Sequence, residues 1–324
     1  MQSLRTVAIA AAALLAPMAN TAAQVPTLEP LDTAAFAVFT GRGATATLDD
    51  VVRAASLADV VFLGERHDDR VAHRLQHELF TRLLAPATDA QTDAATRRVV
   101  LSLEMFDRDV QTVLDEYLAG LIREDHFLAA ARPWPCYTED YRYLVEAAKA
   151  EGVSVVAANA PRRYVNLVSR EGAGALDALS AEAKRALPPL PYAAPSQAYI
   201  AELRQTMSSH GGAADSVQQA NGFLAQALWD ATMAHSITQA LIDDPDAVVV
   251  HLAGAFHVRN GTGVPEHLIR YRPGTRMVTV ILEPVEDMAR LPDARTGTGD
   301  YVILTDTARV RASGGAAACA GSQR

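Results

Sequence analysis

Five short, valine-rich apolar runs constrain this chain more than any other feature: Val60-Val61-Phe62-Leu63, Val99–Leu103, Val153–Ala158, Ala247–Leu252 and Met277–Leu282. Runs of this length, each soon followed by glycine or a polar residue, read as buried strands. Segments of helical periodicity lie between them. His73, Gln76, His77, Phe80, Leu83 and Leu84 mark one helix, and further helices are expected over 110–119 and 141–151. A short helix is expected from Thr47, a candidate N-cap, to Ala58. Strands alternating with helices imply parallel βαβ units with right-handed crossovers. The expected fold is α/β, a mostly parallel sheet flanked by helices. Phe36-Ala37-Val38-Phe39 is a candidate edge strand, and Tyr301-Val302-Ile303-Leu304 a last short one.

Between Tyr164 and Asp246 the strand pattern disappears. Helical stretches recur at 175–186, 197–209 and 216–242, so residues 164–246 read as a smaller all-helical subdomain, an insert or lid. The α/β domain is then discontinuous, 24–163 and 247–307. Small residues dominate 308–324, where a disordered tail is expected, and the polar stretch 87–97 reads as a surface loop.

The 324 residues are 49% hydrophobic and 21% charged, values of an ordinary globular protein. Residues 1–23 have the form of a signal peptide: Arg5 as the positive n-region, Val7 to Met18 as an apolar core too short to span a bilayer, and small residues before a cut ahead of Gln24. Removing them removes Arg5 and takes the net charge from -9 to -10. Such an acidic chain lacks the basic footprint that a nucleic-acid partner requires. Elsewhere no apolar stretch reaches the about 18 residues of a membrane span. With no cysteine at the cut there is no lipid-anchor signal, so a soluble periplasmic protein is expected. Whether Cys136 and Cys319 pair is left open by the residues alone.

Chemically capable residues follow four of the strand runs: Glu65 and His67, then Glu104, then Asn159 with Arg162 and Arg163, then His257. In open parallel sheets ligands bind outside the carboxyl ends of the strands, so these ends define one candidate site. Gly-x-x-His occurs twice, as Gly64-Glu65-Arg66-His67 and Gly254-Ala255-Phe256-His257, and each glycine is expected to permit a tight turn that aims its histidine at this edge. The two histidines and two carboxylates suit a divalent metal such as zinc or manganese, with His67, Glu104 and His257 the candidate ligands and a carboxylate left as general base. Without metal, an imidazole base oriented by a carboxylate serves. The plain structural alternative is that Glu104 and His257 pair to close the sheet edge. Trp134 and Tyr137 either line an apolar ligand pocket or belong to the core. Arg162 and Arg163 either grip a carboxylate or face solvent. His73 and His77, four apart on one helix, read as a solvated or capping pair, and His251 as a core histidine. Neither a dinucleotide fingerprint nor a phosphate loop is present.

Six blocks carry a resemblance: Val61–Asp68, Leu101–Gln111, Ala131–Tyr137, Ala157–Arg163, Leu228–Ala234 and His251–Val258. Together they resemble the ChaN-like family of the haem-binding uptake/TIKI superfamily, related to erythromycin esterases and TIKI metalloproteases, over roughly residues 55–285. The resemblance implies a parallel sheet with a smaller helical domain, and haem binding in iron uptake, with a tyrosine ligating the iron across a homodimer. Tyr137 beside Trp134 is then the candidate ligand, with Arg162 and Arg163 nearby. The esterase and protease branches imply instead a hydrolase using Glu65, His67, Glu104 and His257. The chain differs from many ChaN-like lipoproteins in lacking their anchor cysteine. The expectation is therefore an exported haem-binding protein. The alternatives are a metal-dependent hydrolase and a non-catalytic module for another apolar ligand.

Overall fold

The computed structural model describes residues 28, 30–85, 97–208 and 216–312. The expected signal peptide and the 87–97 loop, save Arg97, lie outside these residues. Seven strands form one sheet: β1 (Phe36–Thr40), β2 (Val60–Glu65), β3 (Val99–Asp107), β4 (Val155–Asn159), β5 (Val248–Gly254), β6 (Met277–Val285) and β7 (Tyr301–Asp306). Their order is β1-β7-β6-β2-β5-β3-β4. Only β1 runs antiparallel, against β7; every other pairing is parallel.

β2 and β5 are buried along their whole length, because helices cover both faces of the sheet, as parallel sheets require. Alternate residues serve opposite layers. Val61 and Leu63 face the helices Leu48–Leu57 and Arg70–Leu84 through Val51, Ala55, Leu75 and Leu79. Val60 and Phe62 face Met233, Ile237, Val264 and Leu268. The first of these helices starts where Thr47 and Asp50 form a reciprocal capping box. The second starts at Asp69, whose Oδ1 accepts the Ala72 N–H at 2.9 Å. The other oxygen of Asp69 accepts the Thr305 hydroxyl at 2.5 Å, tying the helix start to β7.

Among the described residues of 164–246 there is no strand. The long helix Ser216–Asp243 serves two cores. Ala225 and Leu228 pack with Val165, Val168 and Leu187 of the helical segment, whereas Met233, Ala234, Ile237 and Leu241 pack on the sheet. Its second half is thus one of the sheet's flanking helices.

Three expectations need correction. β3 does not stop before Glu104 but runs on to Asp107, with its register against β4 shifting after Leu103. Residues 307–312 form a helix rather than the start of a disordered tail, held by buried Val310 and an Arg309–Asp32 ion pair; residues 313–324 lie outside the described residues. Neither Gly64 nor Gly254 adopts a left-handed backbone. Gly64 is sterically required instead, and Gly254 leaves room for the His67 ring. A Cβ on Gly64 would sit 2.7 Å from Val258 Cγ2 and one on Gly254 3.0 Å from His67 Nε2.

Candidate functional site at the carboxyl edge of the sheet

β5 lies between β2 and β3, so the chain crosses over it and later returns to fill the gap. This is a topological switch point, where open α/β sheets bind ligands. Glu65, the last residue of β2, pairs in register with Gly254, the last of β5. The Glu65 carboxylate is buried and surrounded by donors. Oε1 receives the Tyr141 hydroxyl and contacts His67 Nδ1 at 2.9 Å; Oε2 accepts Gln76 Nε2 at 2.7 Å. His73 Nε2 stands 3.3 Å from Oε2, and its Nδ1 lies 3.3 Å from Asp140 Oδ1. Arg70 Nε then donates to Asp140 at 3.2 Å. Burial alone would raise the Glu65 pKa, but His73 and His67 hold it well below the usual carboxylate range. The same pairing works in reverse on His73. Burial opposes its charge, yet Glu65 and Asp140 lift its pKa from 6.5 to about 10. His67 is also shifted upward against burial, by the Glu65 contact and the charge of Glu104.

A second imidazole–carboxylate pair stands beside the first. His257 Nδ1 meets Asp230 Oδ1 at 2.7 Å, and its Nε2 lies 3.6 Å from Glu104 Oε1. Glu104 Oε2 accepts the Gly254 N–H at 2.7 Å, which fixes the carboxylate against β5. Burial opposes the imidazolium of His257 too, but Asp230 and Glu104 raise its pKa to about 9. The Gly254 α-carbon lies close to both rings. A Cβ there would stand 3.0 Å from His67 Nε2 and 3.7 Å from His257 Cδ2. The edge therefore presents two imidazoles whose charged forms are favoured against burial, each oriented by a buried carboxylate, around a strand end without a side chain. Chemically it can hold an anionic group or give up a proton.

Over residues 51–268 the sequence matches the family described as haem-binding uptake, Tiki superfamily, ChaN. The chain belongs to this family. Among solved structures it is similar to the ChaN of Campylobacter jejuni studied for cofacial haem binding, at 19% identity and a TM-score of 0.64, covering 86% of this chain and all of that one. An erythromycin esterase in its open conformation aligns at 12% identity and a TM-score of 0.41, over 80% of this chain and 78% of that one. The type III effector HopBA1 aligns at 13% identity and a TM-score of 0.41, over 80% and 93%. Only the first of these supports the ChaN-like fold. No curated protein matches the sequence.

The ChaN-family ligand expected at Tyr137 is not available. Its ring is 1% exposed, enclosed by Phe106 and Phe127 with edge-to-face centroid distances of 5.6 and 6.0 Å. Burial also pushes its phenol pKa far upward. Cys136 beside it is buried and disulfide-bonded; Cys319 lies outside the described residues. Trp134 does reach the edge, half-buried, its ring 4.8 Å from that of His67. Arg163 is drawn away by Asp109 at 2.7 Å, and Arg162 is exposed at the start of the helix Arg162–Glu171. Among the described residues no group of three or more His, Cys, Asp or Glu side chains is spaced to hold a metal ion. The expected His67–Glu104–His257 metal set is therefore not supported. Asp230, Asp140 and Tyr141 complete the site without having been singled out from sequence. Asp230 lies on the helix Ser216–Asp243, Asp140 ends the helix Tyr137–Asp140, and Tyr141 joins that helix to Arg142–Ala150.

His73 is no solvated pair with His77: it is a buried bridge. Together with Asp140 it also lines a cavity of about 520 Å³, bounded by the Arg70–Leu84 helix, the 137–144 segment, residues 30–35 and Arg309. His67, Glu104 and His257 do not line it.

Proposed function

We propose that this chain is an exported haem-binding protein serving haem or iron acquisition. The observation that carries the reading is membership of the haem-binding uptake family across 51–268. The haem bound by the Campylobacter relative is consistent with it, and the signal-like sequence of residues 1–23 supports export. The described residues also offer a cavity of about 520 Å³, lined by apolar side chains, three arginines, three acidic residues and the rings of His73, His77 and Tyr143, within the 300–1,000 Å³ range of ligand pockets. When bound, haem would supply a ferric centre open to one or two protein ligands. The test is to incubate the mature protein with hemin, pass it through gel filtration and assay the protein peak as pyridine haemochrome. Haem retained at a fixed molar ratio supports the reading, and a colourless peak refutes it. Periplasmic fractionation of the full-length chain tests export separately.

A second reading rests on the paired dyads Glu65–His67 and Asp230–His257. We propose them as an acid–base centre acting on an ester or phosphoester. His257 is charged at neutral pH and the charged form of His67 is favoured by Glu65 and Glu104, so the pair would bind a developing oxyanion and protonate a leaving group rather than act as bases. Hydrolysis of chromogenic esters should then fall as pH rises through about 9, where His257 loses its proton. A rate that climbs through that range contradicts this role.

A further inference from the structure

Resting on the haem reading, we propose that haem is held in the cavity beside the Arg70–Leu84 helix rather than at the sheet edge, with His77 and Tyr143 presenting the iron donors and Arg74 receiving a propionate. At the edge both imidazoles are engaged through Nδ1, His67 by Glu65 and His257 by Asp230, and Glu104 lies 3.6 Å from His257 Nε2. His77 and Tyr143 are different. Both line the cavity and are half-buried, with ring centroids 6.5 Å apart in an edge-to-face pair. Among the described residues neither ring heteroatom is hydrogen-bonded. An imidazole and a phenol are both established ligand types for haem iron.

The cavity's charges select the same ligand class. Arg70 is paired with Asp140 and Arg309 with Asp32, and Glu139 is exposed at the rim. Arg74 is half-buried, lines the cavity and has no ion-pair or hydrogen-bond partner among the described residues. An unpaired guanidinium beside apolar Leu31, Val71 and Leu144 suits a flat apolar body carrying a carboxylate. Haem has that shape and charge, and it adds an iron that the two rings can ligate.

The test is a hemin titration of the full mature chain, followed at the Soret and charge-transfer bands, in wild type, His77→Ala/Tyr143→Phe, Arg74→Ala and Arg74→Glu. The double variant should lose the ligand-dependent bands and bind at least about tenfold more weakly, since it removes both donors. Arg74→Ala should weaken binding about tenfold, the worth of one charge-assisted hydrogen bond, with its bands unchanged, and Arg74→Glu should weaken it further. The single-site Arg74 variants keep the question answerable if the double variant does not fold. Wild-type binding with unaltered affinity and bands in all variants would overturn the cavity assignment and leave the haem reading standing. No Soret shift in wild type would overturn the haem reading itself, and this assignment with it.

Discussion

Gly64 and Gly254 matter for the space they leave, and that sets them apart in a way substitution can measure. A Cβ on Gly64 meets Val258 Cγ2 at 2.7 Å and the Ala255 backbone at 3.0 Å, neither of which can swing aside. One on Gly254 meets the His67 ring, a side chain that can move. Gly64→Ala should therefore cost about 1–3 kcal/mol, as overpacking does, read as a lower denaturant midpoint. Gly254→Ala should cost less but displace His67. Asp230 offers a sharper test. Against the opposing effect of burial, its charge is the main one raising the His257 pKa, so Asp230→Asn should bring the His257 titration, followed by NMR, down from about 9 toward or below 6.5. An unchanged titration would mean that Glu104 alone sustains the imidazolium. Gly-x-x-His pointed to both histidines, and strand endings pointed to Glu65 and Glu104. Asp230 lies in the Leu228–Ala234 block and His73 is four residues from His77, but neither pattern marks them as site residues, and Asp140 has no pattern at all. Each sits mid-helix or at a helix end, and only tertiary packing decides whether such a residue meets solvent or a buried partner. The aromatic block misled for a related reason: Tyr137 is next but two to Trp134, yet faces the core while Trp134 faces the edge.

Whole elements were easier to foresee than their ends. The strands and principal helices follow from valine-rich runs and apolar spacing. The apolar run ends at Leu103, which puts Glu104 just past β3; it lies inside the strand instead, where a buried carboxylate is costly unless paired, and the Gly254 N–H and His257 pair it. Gln111 shows the same limit. It was free to face solvent, but its Nε2 donates to Val155 O at 2.8 Å and its Oε1 accepts the Ala157 N–H at 2.7 Å. The side chain thereby takes the place of a neighbouring strand on β4, the edge of the sheet. Asp69 carries a comparable double role, capping the Arg70–Leu84 helix and binding Thr305 of β7. Asp69→Ala should cost about 2 kcal/mol, the upper end for a lost N-cap, because the Thr305 hydroxyl is orphaned too. A loss below about 0.5 kcal/mol in chemical denaturation would show that the cap is dispensable.

For the molecule as a whole, the edge site makes stability depend on pH in a stated direction. His257 and His73 are raised in the folded state from 6.5 to about 9 and about 10. Their contribution is fully present below about pH 6.5 and is lost as pH rises through those folded values. Glu65 acts in the opposite sense, its low pKa stabilising the fold above the ordinary carboxylate range and losing that effect in acid. The melting temperature should thus fall between about pH 7 and 10, and the fall should flatten in Asp230→Asn. The two centres share His73, which contacts Glu65 on one side and lines the cavity on the other. The sheet-edge site and the proposed haem cavity are thus neighbours. The claim that this member of the ChaN family carries haem is tested most directly by titrating hemin into the purified mature protein and following the Soret band to equilibrium. A saturable shift with a defined stoichiometry is the predicted result. A spectrum that remains that of free hemin at every ratio would contradict it.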